Sequence, residues 1–126
     1  MKIIKNFFSS SSSKFDSVNW NEINSLVQLD SILSESNKEA LCLFKHSTRC
    51  AISASVLRKL EKKLFVAPKF GTVCYMVKVI ENREVSNRIS ERLNLRHETP
   101  QMIILKNETV VAHGSHYDIL DMELPL

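Results

Sequence analysis

Two short apolar runs constrain the fold of this chain more than any other feature of its sequence. Residues 40–44 read Ala-Leu-Cys-Leu-Phe, and residues 73–80 read Val-Cys-Tyr-Met-Val-Lys-Val-Ile. Runs this short predict β-strands, and the second run, which is rich in β-branched residues, is the stronger signal. The first run is continuously apolar, which is typical of a strand buried on both faces. The sequence therefore predicts a sheet with a buried central strand.

Stretches with helical spacing alternate with these runs. Ser25 and Gln28 form a capping box, in which each side chain can bond the backbone of the other, and a helix is predicted from there to about residue 36. Apolar residues recur every four positions in two further predicted helices, with Ile52, Val56, Leu60 and Leu64 in one and Val85, Ile89 and Leu93 in the other. Pro68 and Gly71 break the pattern between the second helix and the next strand.

The remaining segments complete an alternating order. A weak strand is predicted at residues 20–24 and a hairpin at 101–105 and 109–112, and Ser115 with Asp118 resembles a capping box that opens a last helix. The predicted order is β-α-β-α-β-α-β-β-α. Alternation of this kind implies parallel strands with crossover helices. We therefore expect an α/β fold with a mixed sheet of four to five strands flanked by helices.

Length and charge limit the function classes. A chain of 126 residues fits one domain, and a formal charge of +3 is too small to imply nucleic acid. Lys5 and Asn6 interrupt the apolar residues near the start, which argues against a signal peptide, and no segment is long and apolar enough to span a membrane. Residues 1–16, with serine at positions 9–13, are predicted to be a polar, mobile extension of a domain at 17–126.

The cysteines argue for a reducing compartment. There are three, an odd number, and none has C-x-x-C spacing. A secreted disulfide scaffold would show more of them in even number, and His46 near Cys50 does not supply the set of ligands that zinc needs. We therefore expect a cytoplasmic protein without a metal site.

Cys50 is the cysteine whose position suits chemistry. Cys42 and Cys74 lie within the apolar runs, where a free cysteine packs as a small hydrophobe. Cys50 lies where a strand passes into a helix, and the amides and dipole of a helix start favour a thiolate. Ser53, one turn later, is a candidate donor to that thiolate, or a plain first-turn residue. On these residues alone, Cys50 could equally be a cysteine that only packs.

Positive side chains precede Cys50. Lys45 and Arg49 are candidates for binding the carboxylates of a low-molecular-weight thiol, although solvated side chains would give the same pattern. His46 is better explained by packing, because a thiolate that has already formed needs no base.

Thr99 and Pro100 stand directly before a predicted strand. Such a proline is either an ordinary edge residue or part of a cis peptide bond. In a thioredoxin fold a cis-proline in this place faces the helix-start cysteine, and the backbone before it pairs with an extended substrate segment. Because the chain has the same order of elements, we expect a thioredoxin-like fold with Thr99 and Pro100 as substrate-binding residues.

Two blocks of sequence resemble a known family. Residues 44–53 read Phe-Lys-His-Ser-Thr-Arg-Cys-Ala-Ile-Ser, and residues 97–101 read His-Glu-Thr-Pro-Gln after Arg83 and Ser86. With Gly-Ser-His at 114–116, these blocks resemble the YtxJ-like proteins, monothiol bacilliredoxin-type proteins of bacteria that use bacillithiol. The resemblance covers about residues 20–122. The family typically has proline where this chain has Ala51 and serine where it has Thr99.

The resemblance implies thiol–disulfide exchange. Cys50 would attack a mixed disulfide between a client protein and bacillithiol, take up the bacillithiol and free the client. Ser53 stands where a second thiol would be, so another bacillithiol or another redoxin must regenerate Cys50. Bacillithiol would be a co-substrate and not a bound cofactor. Ala51 bears on the reduction potential more than on the reaction class.

A second class of function fits the same residues. The lone cysteine and Ala51 also suit a non-catalytic thioredoxin-like module that binds extended peptides or partner proteins. Glutathione-linked and iron–sulfur chemistry are lesser variants of the first hypothesis.

Overall fold

The computed structural model describes residues 18–66 and 72–123. The predicted extension at 1–16 lies outside these residues, as do Pro68 and Gly71. The strands and helices in chain order are β1 (Trp20–Glu22), α1 (Leu26–Glu35), β2 (Leu41–His46), α2 (Ala51–Val66), β3 (Val73–Lys78), α3 (Arg83–Leu93), β4 (Gln101–Lys106), β5 (Thr109–Ser115) and a 3-10 helix (His116–Asp121).

The five strands form one mixed sheet in the order β1-β3-β2-β4-β5. β3 is parallel to both β1 and β2, whereas β4 is antiparallel to β2 and β5 is antiparallel to β4. The parallel pairs follow from the crossover helices α1 and α2, and the last pair from the hairpin. The predicted α/β class and mixed sheet are confirmed.

The capping box at the start of α1 is confirmed with one change. Ser25 Oγ accepts a hydrogen bond from the Gln28 amide at 3.1 Å, as expected. Gln28 Oε1 accepts from the amide of Asn24 at 2.8 Å, one residue before the cap. The helix start is thus fixed by local hydrogen bonds that the sequence pattern predicts.

The sheet separates two apolar clusters. Side chains alternate along β2, so Leu41 and Leu43 pack with residues of α1 and α3, whereas Cys42 and Phe44 pack with residues of α2. All residues of β2 are buried, which makes it the central strand that the run at 40–44 predicts. The strand extends beyond this run through Lys45 and His46, so both faces of the sheet carry one polar residue at the same end.

The apolar stripe predicted for α2 is wrong at its first residue. Val56, Leu60 and Leu64 are buried, but Ile52 is 45% exposed and Ser53 is fully buried in its place. A helix has 3.6 residues per turn, so a stripe that steps by four residues drifts by about 40° at each step. Over the length of α2 this drift turns Ile52 out of the buried arc.

The last helix also differs from its prediction. It is a 3-10 helix of six residues, and Ser115 makes no side-chain cap hydrogen bond. The Ser115 hydroxyl donates instead to the carboxylate of Glu98, in the loop before β4. The predicted capping box is therefore wrong, because Ser115 has a partner from another part of the chain that the local sequence does not reveal.

Within residues 18–66 and 72–123, no helix is both long enough and apolar enough to cross a membrane.

Candidate functional site

Cys50 directly precedes α2. Its carbonyl accepts the amide of Ala54 at 3.1 Å, which is the first hydrogen bond of the helix. Cys50 is half-buried, whereas Cys42 and Cys74 are buried, and all three are free thiols. Cys50 is therefore the cysteine that has both a helix start and access to solvent.

Ser53 holds the segment between β2 and α2 in place. Its Oγ accepts the amide of Ser47 at 3.1 Å and lies 2.7 Å from Nδ1 of His46. The amide of Cys50 donates to the carbonyl of Ser47 at 3.3 Å, which closes a turn just before the helix. Among the described residues no hydrogen bond joins Ser53 to the Cys50 sulfur, so the predicted contact with the thiolate stays a prediction.

His46 lies under this turn on the α2 side of the sheet. It is 9% exposed, and its ring is 6.3 Å from the ring of Phe44. Burial is the main cause that lowers the pKa of His46, and the positive charge of Lys78 adds to it, whereas Glu81 opposes it. His46 is thus a neutral ring at neutral pH that packs and binds Ser53, in line with the packing role expected from the sequence.

The sheet brings Thr99 and Pro100 to the same end as Cys50. Lys45 pairs with Gln101 across β2 and β4, so the end of β2 lies beside the start of β4. Cys50 follows the end of β2, and Pro100 directly precedes β4. The Thr99–Pro100 peptide bond is cis.

The backbone around this bond is partly free. The carbonyl of Pro100 accepts the amide of His116 at 3.0 Å. Neither the N–H nor the C=O of Thr99 has a hydrogen-bond partner in the part of the chain that the structure describes. Thr99 is half-buried, so these groups offer a donor and an acceptor at the sheet end that carries Cys50.

The two predicted cationic residues occupy different environments. Arg49 is exposed beside Cys50, where it can meet an anionic ligand, and it forms no ion pair with any described residue. Lys45 is fully buried on the opposite face of the sheet, under α3. The structure therefore groups Arg49, Cys50, Thr99 and Pro100 at one end of the sheet and does not expose Lys45 there.

Lys45 belongs to a polar network that the local sequence does not predict. Its Nζ lies 2.9 Å from the Ser86 carbonyl oxygen, 2.9 Å from Ser90 Oγ and 3.1 Å from His97 Nδ1. His97 Nε2 in turn lies 3.3 Å from Thr99 Oγ1. Burial lowers the pKa of Lys45 to about 8. The sequence signal for this network is a lysine directly after an apolar strand run. If the strand continues through that lysine into the core, the buried ammonium needs hydrogen-bond acceptors there.

The described residues contain no group of three or more His, Cys, Asp or Glu side chains arranged to hold a metal ion.

Comparisons with known proteins agree with this geometry. The model of the family "Monothiol bacilliredoxin BrxC" matches residues 21–124. A solved structure of a candidate oxidoreductase with a thioredoxin fold is 26% identical, covers 80% of this chain and 87% of its own, and has a TM-score of 0.69.

Solved thioredoxins are more distant. The protein of Trypanosoma brucei brucei is 17% identical over 79% of this chain and 80% of its own, with a TM-score of 0.63. The protein of Fasciola hepatica is 16% identical over 80% of this chain and 92% of its own, with a TM-score of 0.62. At this identity the likeness establishes the fold alone, and it confirms the predicted thioredoxin-like fold.

Proposed function

Because this chain belongs to the monothiol bacilliredoxin family, we propose that it removes bacillithiol from mixed disulfides on proteins, with Cys50 as the nucleophile. The family and the thioredoxin fold support a thiol–disulfide redox function. Bacillithiol as the thiol, and protein mixed disulfides as the substrates, are the finer parts of the proposal.

The position of Cys50 is the observation that carries this proposal. Its thiol is half-buried at the start of α2, at the sheet end where the backbone of Thr99 has no partner among the described residues. An extended client segment that pairs with Thr99, as an added strand pairs with a sheet edge, would bring its mixed disulfide to that end. The site thus combines a nucleophile with a means of orienting a protein substrate.

The first step is an exchange of one disulfide for another. The Cys50 thiolate attacks the bacillithiol sulfur of the mixed disulfide, an S–S bond forms between Cys50 and bacillithiol, and the client leaves as a thiolate. A second bacillithiol thiolate, or the thiol of another redoxin, then attacks the adduct. The attacking sulfur forms an S–S bond with the bacillithiol sulfur while the bond to Cys50 breaks, so Cys50 is released as a thiolate and the bacillithiol leaves as bacillithiol disulfide or as a mixed disulfide with the redoxin.

The serine at position 53 explains why a second thiol molecule is needed to regenerate Cys50. It occupies the position one turn after Cys50 where a dithiol protein would carry its resolving cysteine. Cys42 and Cys74 are buried on the central strands and do not replace it. The proposed cycle therefore passes through a Cys50–bacillithiol adduct that persists until an external thiol arrives.

Arg49 is the proposed contact for the low-molecular-weight thiol. Arg49 is exposed next to Cys50, and a guanidinium can bind a carboxylate through two parallel hydrogen bonds. Lys45 is buried, so any part it has in substrate binding is indirect. We place this reaction in the cytoplasm of a bacterium that makes bacillithiol, with bacillithiolated proteins as partners.

The test is exchange with a bacillithiolated model protein, followed by intact mass. The wild-type protein is expected to gain one bacillithiol on Cys50 while the client appears in thiol form. Cys50→Ser should release no client, whereas Cys74→Ser is a matched control that retains the reaction. A glutathionylated copy of the same client measures the preference for the thiol.

Other outcomes would contradict the proposal. Equal client release by wild type and C50S, or an adduct on Cys42 or Cys74 instead, would exclude Cys50 as the nucleophile. Binding of the client without any release would favour the alternative, a module that holds extended peptides, which the free backbone of Thr99 also suits.

A further inference from the structure

The buried ammonium of Lys45 is the starting point. Lys45 lies at the end of β2 with 0% of its surface exposed. Lysine is almost never fully buried unless its charge is matched by hydrogen bonds. Here it turns to α3 and to the loop before β4, on the face of the sheet opposite to His46 and Ser53. Its partners therefore explain why a charged side chain is tolerated beneath the candidate site.

The three N–H bonds of this ammonium have three acceptors. These are the carbonyl of Ser86 at 2.9 Å, Ser90 Oγ at 2.9 Å and His97 Nδ1 at 3.1 Å. Ser90 Oγ is 3.5 Å from the same carbonyl of Ser86, so its own proton has an acceptor and its lone pair is free for Lys45. An ammonium has no acceptor capacity, so Nδ1 of His97 must accept.

This fixes the tautomer of His97. With Nδ1 as an acceptor, the proton of the neutral ring must be on Nε2. The hydroxyl of Ser86, 3.4 Å from Nδ1, is compatible because it can also donate. Nε2–H then faces Thr99 Oγ1 at 3.3 Å and donates to it. A single direction of hydrogen bonding thus runs from Lys45 through His97 to Thr99.

We infer that Lys45 and His97 are positioning residues that fix Thr99, the residue before the cis peptide bond, for pairing with protein substrates. Neither residue has to touch the substrate. The inference rests on the proposed function for its purpose, but the hydrogen-bond direction stands on geometry alone.

A second bond holds the same loop. Gln101 is 2% exposed, and its Nε2 donates to the carbonyl of Arg96 at 2.9 Å. The bonds of Gln101 and Lys45 therefore hold residues 96 and 97 from beneath, and Thr99 follows them within the same loop. Burial lowers the pKa of His97, with the positive charges of Lys45 and Arg83 adding to it, which keeps the ring neutral at neutral pH.

The first measurement is the tautomer of His97 in the wild-type protein. Two-bond correlations between the ring protons and the ring nitrogens by NMR should show Nε2 protonated and Nδ1 unprotonated at pH 7. In Lys45→Met the loss of the donor to Nδ1 should produce a mixture of tautomers. A wild-type ring protonated on Nδ1 would overturn the inference, and this readout needs neither bacillithiol nor a folded variant.

The second measurement separates positioning from general damage. In His97→Asn, the side-chain oxygen can still accept from Lys45 but the group is too short to reach Thr99. Losing one hydrogen bond to Thr99 should raise KM for a bacillithiolated protein about fivefold. The kcat, and the rate of Cys50 with the small disulfide of bacillithiol, should be unchanged.

Equal slowing of the protein and the small substrate in H97N would contradict a positioning role. If the wild-type protein exchanged only with the small disulfide, the proposed function toward proteins would fail. The tautomer of His97 would still decide whether the hydrogen bonds run from Lys45 through His97 to Thr99. The two failures are therefore distinguishable.

Discussion

At the scale of single residues, burial separates the three cysteines more sharply than their sequence context. Cys42 and Cys74 are register partners on β2 and β3, and both lie in the cluster under α2. The hydrogen bond with Cys74 and burial together raise the pKa of the Cys42 thiol. Neither thiol presents a nucleophile to solvent, whereas Cys50 is half-buried at a helix start.

Alkylation of the native protein should therefore be selective. Brief treatment with iodoacetamide at neutral pH is expected to add one group, on Cys50, because it is half-buried whereas Cys42 and Cys74 are buried. Peptide mapping identifies the site, and the same treatment in denaturant should add three groups. Substantial native labelling of Cys74 would show that β3 opens more readily than its burial implies.

At the scale of elements, the sequence predicts the order and type of nearly every strand and helix. The apolar runs and helical spacings locate β2, β3 and α3, because in each the local pattern and the tertiary surroundings agree. The environment of Lys45 is what the local sequence does not predict. The charge of Lys45 makes it a candidate for binding a carboxylate or for contact with solvent, whereas the acceptors that α3 and His97 supply, 41 and 52 positions away, make it a buried strand residue.

In the candidate site, too, local features could be predicted from the sequence and contacts between distant segments could not. Cys50, Thr99 and Pro100 could be singled out from the sequence, because a helix start and a proline before a strand are local features. The partners of Ser53 and the link from Lys45 to Thr99 could not, because each depends on how separate segments meet. Ile52 was misplaced for a simpler reason, the drift of a four-residue step around α2.

The orientation of α2 gives a test at this scale. Leu60→Ala should lower the free energy of unfolding by about 2–5 kcal/mol, since a fully buried leucine leaves a cavity. Ile52→Ala should cost less than about 1 kcal/mol, because its side chain is 45% exposed. Urea unfolding of both variants measures the difference. Similar losses would mean that α2 is rotated from the orientation described.

At the scale of the whole molecule, two neutral histidines lie one on each face of the sheet at the same end. His46 binds Ser53 on the α2 face, and His97 binds Lys45 on the α3 side. Burial is the first cause of a lowered pKa for both rings. The hydrogen bonds on both faces of the sheet at this end therefore require the histidine ring to be neutral.

Stability should fall on mild acidification. The unfolded chain takes up protons at its histidines near pH 6.5, before the folded protein does, because the pKa values of His46 and His97 are lowered from that value. The unfolded state then binds more protons, so the free energy of unfolding decreases as pH falls from about 7 to about 5.5. Urea unfolding across this range measures the slope.

The double variant H46N/H97N provides the control for this slope. Asparagine does not titrate, so the variant should lose most of the pH dependence between about pH 7 and about pH 5.5. An unchanged slope in the double variant would place the titrating groups elsewhere in the protein.

The bonds of Ser53 have a consequence for protein engineering. Replacing Ser53 with cysteine is the obvious way to convert this one-thiol site into a dithiol. The hydroxyl, however, is the piece that joins the turn at Ser47 to the ring of His46, and sulfur is a weaker acceptor. A Ser53→Cys variant could form an internal disulfide, but the turn that precedes Cys50 would be held less firmly. In this fold the residue that stands in place of a second thiol also holds the segment before Cys50 by hydrogen bonds. Adding a second sulfur at this position would therefore also reduce the rigidity of the site.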